Sequence, residues 1–244
     1  MPATPFLLDI GTDCNDLEKR IQFNKFAKNK NYLYFSAGIW PSEQAINERF
    51  FQLEELKKQI SNCQKQNQQL LLAIGECGID KSHNSAQKGS AFLKNEEELF
   101  AMQAELAKNL NLPLIVHSRD DFERTYGVLK NSNLQNVVIH CFSYGVKQAR
   151  AFLDLGYFIS FSGTITFGKG EKLEENQKLL RFIPKDRLLL ETDAPYLAPV
   201  PFRGKMNTPL LIFHTYNFVA NTLQMPLNEL ALLIYGNAKE LFKF

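Results

Sequence analysis

Seven short apolar segments, each followed by a polar stretch long enough for a helix, constrain the fold of this chain more than any other feature. They are rich in Leu, Ile and Val and read FLLDIG, YLYFSAG, LLLAIGECG, LPLIVHS, NVVIHCF, YFISFSG and RLLLETD. Continuous apolar segments without strict alternation are typical of parallel strands that helices cover. The pattern therefore predicts an α/β fold, either a closed (β/α) barrel or an open doubly wound sheet.

The segments between the strands support this prediction. NEEELFAMQAELAKNLN has the apolar spacing of an amphipathic helix, with acidic residues in its first turn. LLIFHTYNFVANTLQ and NELALLIYGNAKELF predict two closing helices, and APYLAPVPFRG predicts a long loop over the carboxyl edge of the sheet. No repeat and no linker rich in Pro, Gly or Ser divides the 244 residues, so we expect a single domain over residues 1–244.

Composition excludes several functional classes. The net charge of +2 gives no strong field, so nucleic-acid contact would have to come from a local patch. No signal-peptide pattern and no apolar run of roughly 18 residues occurs, so we predict a cytoplasmic protein with no membrane partner. The cysteines form no Cys-x-x-Cys pair, and we expect reduced thiols buried as small hydrophobes. They are Cys14, Cys63, Cys77 and Cys141.

Four potential metal ligands end four different strand segments. In chain order they are Glu76, His117, His140 and Asp193. Any one of them alone fits a packed histidine or a cap, but the carboxyl ends of parallel strands meet on one face of a barrel. Two carboxylates and two imidazoles buried together compensate one another around a cation, and this donor set suits Zn, Mn, Fe or Mg. His83 lies in a polar loop and His214 on a closing helix, so we expect both to be solvated or packed.

Six ordered motifs extend over nearly the whole chain: AIGECGID, PLIVHSRDDFE, VVIHCFSYG, ISFSGTITF, LLLETDAPYLAPVPFRGKMN and GNAKELF. With these motifs the sequence resembles the TatD family of metal-dependent deoxyribonucleases. The resemblance implies a TIM-type barrel and a hydrolase of ester bonds that carries one or two divalent ions. Its substrate would be DNA or another phosphodiester, cleaved by metal-activated water.

The resemblance also implies a role for each strand-end residue. Glu76 would bridge two ions, His117 and His140 would hold one of them, and Asp193 would bind the second ion and act as the base. Three cations are candidates for binding flanking phosphates, although exposed cations are usually only solvated. These are Arg119, Lys169 and Arg203.

The chain departs from the family pattern at its start. Family members open with a strand that ends in His-x-His, whereas here no His precedes His83. LLDIGTD followed by YLYFSAGIWPS matches the family's second and third strands, so the first β/α unit is expected to lie outside this sequence. One explanation is a start codon placed too late, which we favour because a barrel short of a strand leaves unpaired edges. The other is a natural truncation.

Further departures concern the substrate side. Trp40 and Ser42 stand where the family usually has two histidines in a substrate-facing loop, and Thr208 stands where an acidic residue is common. We expect Trp40 either to stack on a base or to plug the barrel mouth. Two alternatives to a nuclease therefore stay open. One is a metal hydrolase of another ester or amide, and the other is a degenerate single-metal or non-catalytic binding protein on the same scaffold.

Overall fold

The structure, a computed structural model, describes residues 6–24, 33–67, 69–84 and 89–244. Within those ranges the chain forms seven strands alternating with helices. Five of the seven apolar segments contain a whole strand, and in the other two the strand extends one or two residues further, to Asp80 and to Arg119. The chain divides into two compact units, Pro2–Val137 with Phe242–Phe244, and Val138–Leu241.

The first unit carries four parallel strands that pair in chain order. Its strands and helices are β1 (Leu7–Asp9), α1 (Leu17–Asn24), β2 (Leu33–Ala37), α2 (Glu43–Asn47), α3 (Arg49–Asn67), β3 (Leu71–Asp80), α4 (Ser90–Leu110), β4 (Leu114–Arg119) and α5 (Phe122–Ser132). Leu7 pairs with Leu33 between β1 and β2, and Gly78 pairs with His117 between β3 and β4. The parallel register places the carboxyl ends of β3 and β4 side by side.

Helix α4 is the predicted amphipathic helix, and it differs from the prediction in one respect. Leu99 and Leu106 are buried, as the apolar spacing requires. The helix begins at Ser90 rather than near Asn95, so its acidic residues lie beyond the first turn. One of them, Glu96, is buried instead of solvated, because partners from neighbouring elements surround it. The helix ends at Leu110, and the left-handed conformation of the following residue, Asn111 (φ 52°), caps its last turn.

The second unit carries three parallel strands and four helices. They are β5 (Val137–Ile139), α6 (Val146–Asp154), β6 (Phe158–Phe161), α7 (Glu171–Phe182), β7 (Leu188–Leu190), α8 (Ile212–Leu223) and α9 (Leu227–Phe242). β6 pairs with both β5 and β7, and all residues of the three strands are buried. Burial on both faces explains why these segments are continuously apolar. The two closing helices predicted from the sequence are α8 and α9.

Three further features of the described residues bear on the sequence analysis. A long segment separates β7 from α8, and it exposes apolar side chains such as Tyr196 and Met206. All four cysteines lie in described segments and none forms a disulfide; three are buried and Cys141 is partly so. No helix in the described ranges combines the length and the apolar character that crossing a membrane requires.

Candidate metal centre

Strand β3 positions Glu76 through an unusually close approach to β4. Gly75 (φ +115°) and Gly78 (φ +149°) flank this part of the strand, and a Cβ at either position would collide with a backbone carbonyl oxygen of β4. The pairing register between β3 and β4 shifts between Ile74 and Cys77. The Glu76 backbone N–H donates to the Gly11 carbonyl at 2.7 Å. The irregularity in β3 therefore fixes the strand segment that carries Glu76.

The imidazole of His117 lies between two carboxylates. Its Nδ1 is 2.9 Å from Glu76 Oε1, and its Nε2 is 2.9 Å from Asp80 Oδ2. The side chains of Glu76 and His117 are each 15% exposed, whereas that of Asp80 is 2% exposed. The structure thus brings together two of the predicted ligands, Glu76 and His117, and adds a second acidic group, Asp80, beside them.

Asp80 is a site residue that the sequence analysis missed. Its Oδ1 accepts a hydrogen bond from the His83 backbone N–H at 2.8 Å. Burial alone would raise the pKa of Asp80, but the hydrogen bonds from His117 and His83 outweigh it and lower the pKa below the usual value. Asp80 is therefore ionised at neutral pH. The signal that could have found it is its place four residues after Glu76, at the end of the same strand segment.

The second unit holds His140 beside another carboxylate that the sequence analysis missed, Glu191. His140 follows β5, and its Nδ1 is 3.4 Å from Glu191 Oε1. The same oxygen accepts from the Cys141 backbone N–H at 2.6 Å, and Glu191 Oε2 accepts from the Ser160 hydroxyl at 2.8 Å. Glu191 directly follows β7 in LLLETD, which is the sequence signal that marks it.

Asp193 lies two residues beyond Glu191 and is half-buried. Its carbonyl accepts from the Tyr196 backbone N–H at 2.6 Å, which closes a turn at the start of the long segment after β7. The pKa of the neighbouring Cys141 thiol is raised to about 11. Burial is the largest cause, the negative charges of Glu191 and Asp193 add to it, and His140 opposes them. Asp193 thus belongs to the acidic surroundings of Cys141 in this unit.

The three candidate phosphate-binding cations are all exposed. Arg119 ends β4, and its carbonyl accepts from the Lys81 backbone N–H at 3.0 Å. The Arg203 guanidinium carbon lies 4.6 Å from the centroid of the Phe167 ring. Lys169 follows two residues after that ring, in the turn before α7. Exposure leaves these side chains accessible to a ligand, and their role stays a prediction.

Trp40 lies against the first-unit site. The half-buried indole makes edge contacts with the ring of His83, at 4.7 Å between centroids, and with the ring of His117, at 5.9 Å. His83 is exposed and His214 packs on Phe202 at 5.0 Å, as expected for histidines outside the ligand set. Trp40 therefore borders the imidazole of a predicted ligand, while its contact with substrate stays a prediction.

The donor atoms fit a divalent cation. Glu76, His117 and His140 are each half-buried, and each offers one oxygen or nitrogen ligand atom. If two ligand atoms are each about 2.1 Å from an ion and the ligand–ion–ligand angle is 90°, they lie about 3 Å apart. The 2.9 Å between Glu76 Oε1 and His117 Nδ1 matches that separation. Glu76 and His117 are therefore candidate ligands of a metal site in the first unit, and His140 is a candidate ligand in the second.

Comparison with known proteins agrees with this chemistry. The sequence profile of the family described as TatD related DNase matches residues 5–243. The uncharacterized metal-dependent hydrolase YcfH of Escherichia coli K12 is 34% identical over 215 residues, covering 87% of this chain and 75% of that protein. The uncharacterized metal-dependent hydrolase YabD of Bacillus subtilis is 37% identical over 175 residues, covering 71% of this chain. The chain spans 66% of the length of YabD.

A solved structure extends the similarity to the fold. The crystal structure of YJJV, a TatD homologue from Escherichia coli, matches with a TM-score of 0.80 at 27% identity and covers 99% of this chain and 87% of that chain. The predicted fold class, α/β of the TIM-barrel type with seven recognisable parallel strands, is thereby confirmed. Both the sequence profile and the relatives agree that the chain belongs to the TatD family of metal-dependent hydrolases.

Proposed function

We propose that this protein is a divalent-metal-dependent phosphodiesterase that acts on DNA. The observation that carries the proposal is the His117 imidazole held at 2.9 Å from Glu76 on one nitrogen and at 2.9 Å from Asp80 on the other. A histidine with a second carboxylate behind it is the usual arrangement of a metal ligand in proteins. The family's description as TatD related DNase supports DNA as the substrate.

The proposed ligand set joins the strand-end residues of the sequence. Glu76, His117 and His140 would hold one ion, and Asp193 would bind a second ion that Glu76 shares. A bound divalent ion supplies an activated water and neutralises charge on the phosphate oxygens. Asp193, as the base, would accept the proton of the attacking water. Zn, Mn, Fe and Mg all suit these oxygen and nitrogen donors.

The exposed cations would serve the substrate rather than the ion. A nucleic-acid strand carries one negative charge per phosphate, and Arg or Lys side chains fix its register without reading the bases. Arg119, Lys169 and Arg203 are therefore proposed to bind phosphates that flank the cleaved bond. Their exposure supports this role, because a polymeric ligand needs accessible partners.

Metal analysis combined with a substrate panel tests the proposal. The purified protein is analysed for bound metal, stripped with a chelator and resupplied with Mn²⁺, Mg²⁺, Zn²⁺ or Fe²⁺. Hydrolysis is then measured on single- and double-stranded oligodeoxynucleotides and on small carboxylic esters and amides. We expect metal-dependent cleavage of DNA that is lost in His117→Ala and His140→Ala and kept in Glu175→Gln, which changes an exposed carboxylate on α7.

Other outcomes of this experiment would point to the alternatives. Metal-dependent hydrolysis of a carboxylic ester or amide without DNA cleavage would replace the phosphodiesterase by another hydrolase. Metal binding without hydrolysis of any substrate would favour a binding protein on the same scaffold. The absence of both metal binding and hydrolysis would refute the metal-dependent mechanism.

A further inference from the structure

The loop of residues 194–208, which follows Asp193, carries positive charge and no negative charge. Its charged residues are Arg203 and Lys205, and no Asp or Glu occurs between Asp193 and Glu229. Both cations are exposed. Because the net charge of +2 gives the whole chain no strong field, a polyanion has to be attracted by a local patch, and the 194–208 loop provides one.

Aromatic rings support both cations of the loop. The Lys205 Nζ lies 5.7 Å from the centroid of the Phe202 ring, and the Arg203 guanidinium carbon lies 4.6 Å from the centroid of the Phe167 ring. The Phe202 ring in turn packs on His214 at 5.0 Å between centroids. A cation above an aromatic face is attracted by the ring, so these contacts position the two charges while the side chains stay exposed.

The same loop exposes an aromatic side chain on a fixed backbone. Tyr196 is 69% exposed. Its backbone N–H donates to the Asp193 carbonyl at 2.6 Å, and its carbonyl accepts from the side-chain amide of Asn207 at 2.6 Å. Tyrosine offers a large contact area with only two side-chain torsions, so a ligand that covers this ring orders little of the protein.

Asn207 also brings the cations of the loop close to Tyr196. Asn207 is buried, and besides its bond to Tyr196 its backbone N–H donates to the Pro195 carbonyl at 3.0 Å. Lys205 precedes Asn207 by two residues, so the Cα atoms of these two residues are at most about 8 Å apart. Asp193, the proposed base, is three residues before Tyr196. The aromatic ring, the cations and the proposed base thus belong to one closed stretch of the second unit.

We propose that the 194–208 loop binds an unpaired nucleotide of DNA, with the base stacked on the Tyr196 ring and the neighbouring phosphates bound by Arg203 and Lys205. Aromatic faces beside cations bind single strands because every base has a π-face, whereas a base inside a duplex must first be unstacked. The substrate would therefore be single-stranded or frayed DNA. The choice of DNA rests on the proposed function, whereas binding at the loop is measurable without any cleavage.

Binding of a fluorescently labelled oligodeoxynucleotide in the presence of a chelator tests the loop in the absence of hydrolysis. We expect the single strand to bind more tightly than a blunt duplex of the same sequence. Tyr196→Ala should weaken binding of the single strand by about 5–150-fold, which corresponds to about 1–3 kcal/mol for one stacked base. Tyr196→Phe keeps the ring and should change the affinity little. The matched control is Phe51→Ala, which removes an exposed ring on α3 of the first unit.

Oligonucleotides with one abasic position separate stacking from other effects. When the abasic position is moved along the strand, we expect one position at which loss of the base weakens binding to the unsubstituted protein but not to Tyr196→Ala. Lys205→Ala should reduce the slope of log affinity against log salt concentration by about 0.7, the value for one phosphate contact on a single strand. Lys57→Ala, which removes a largely exposed lysine on α3, should leave that slope unchanged.

Each possible result decides between the loop and its alternatives. No binding of the single strand, unchanged affinity in Tyr196→Ala, or equally tight binding of the blunt duplex would overturn the proposed site. Tighter binding of a single-stranded RNA of the same sequence would overturn the choice of DNA. Base-dependent binding through Tyr196 without metal-dependent hydrolysis would support the site and count against the proposed function. Metal-dependent cleavage of DNA that Tyr196→Ala leaves unchanged would support the proposed function and overturn the site.

Discussion

Replacing Arg124 on α5 is predicted to lower the stability of the first unit strongly. Its guanidinium lies 2.9 Å from Glu96, 2.6 Å from Glu97 and 3.2 Å from Asp121, and it also donates to the Leu93 carbonyl. Burial would lower its pKa, but the hydrogen bond to Glu97 and the charge of Glu96 raise it above the usual value. Arg124 is therefore the charged partner that makes the complete burial of Glu96 tolerable.

Arg124→Leu removes that partner and leaves the Glu96 carboxylate in the interior. Breaking a buried ion pair from one side costs about 3–5 kcal/mol, because an uncompensated charge remains. We expect a loss of that size in the free energy of unfolding, measured by urea denaturation. Glu96→Gln in the Arg124→Leu background keeps an acceptor for Asp80 and Asn84 and removes the charge, so it should recover at least half of the loss.

Arg49→Leu is the matched control for Arg124→Leu. Arg49 pairs with Glu98 at 2.7 Å, but the Glu98 side chain is 45% exposed. Solvent-exposed pairs contribute about 0–1 kcal/mol, so the control should lose no more than that. A loss under about 1 kcal/mol in Arg124→Leu, or no recovery in the double variant, would refute the view that Glu96 is a buried charge held by Arg124.

Three further predictions follow from the geometry of single positions. Gly78→Ala places a methyl group against the His117 carbonyl at a residue with a positive φ. We expect it to lower the free energy of unfolding, measured by urea denaturation, by about 1–3 kcal/mol and to weaken zinc binding. The control Gly127→Ala lies within α5 and has open space around the new methyl group, so it should be neutral or stabilising. Burial, followed by the charge of Asp13, raises the pKa of Cys14 to about 11. Labelling of Cys14 by a thiol reagent at pH 8 should therefore be at least about 100-fold slower in the folded protein than in the unfolded chain, and it should accelerate as the pH rises. Equal labelling rates in the folded and unfolded protein would contradict this prediction. Arg203→Ala should raise KM for an oligonucleotide with little change in kcat and reduce the salt dependence of cleavage, and an unchanged KM would remove Arg203 from the substrate site.

The sequence predicted the strands and the ligand candidates for one physical reason. Parallel strands covered by helices are apolar along their length, so a polar residue at the end of such a segment is conspicuous. Glu76 and His117 stand out in this way, and the structure places their ligand atoms 2.9 Å apart. The first turn of α4 was predicted wrongly, because the helical pattern gives no information on which acidic residues tertiary contacts bury.

The partners of the ligands could not be predicted from local sequence. The hydrogen bond between Asp80 and His117 joins residues 37 positions apart, and it depends on a register that shifts within β3. The contact between His140 and Glu191 depends in the same way on elements that are distant in the chain. Simple alternation along β3 would place Glu76 and Asp80 on one face, but the positive φ angle of Gly78 interrupts regular strand geometry between them.

Asp80 and Glu191 nevertheless share a sequence feature that local reasoning can use. Each is an acidic residue that lies close in the chain to an acid predicted to bind metal. Asp80 is four residues after Glu76, and Glu191 is two residues before Asp193. A metal-binding histidine needs an acceptor for its second ring nitrogen, and a buried acceptor without a donor is costly. A second acid beside a predicted ligand is therefore better interpreted as the acceptor for a ligand histidine than as a further ligand. This rule predicts that Asp80 and Glu191 orient the imidazoles of His117 and His140, and that Glu76 and Asp193 are the acids available to the ions.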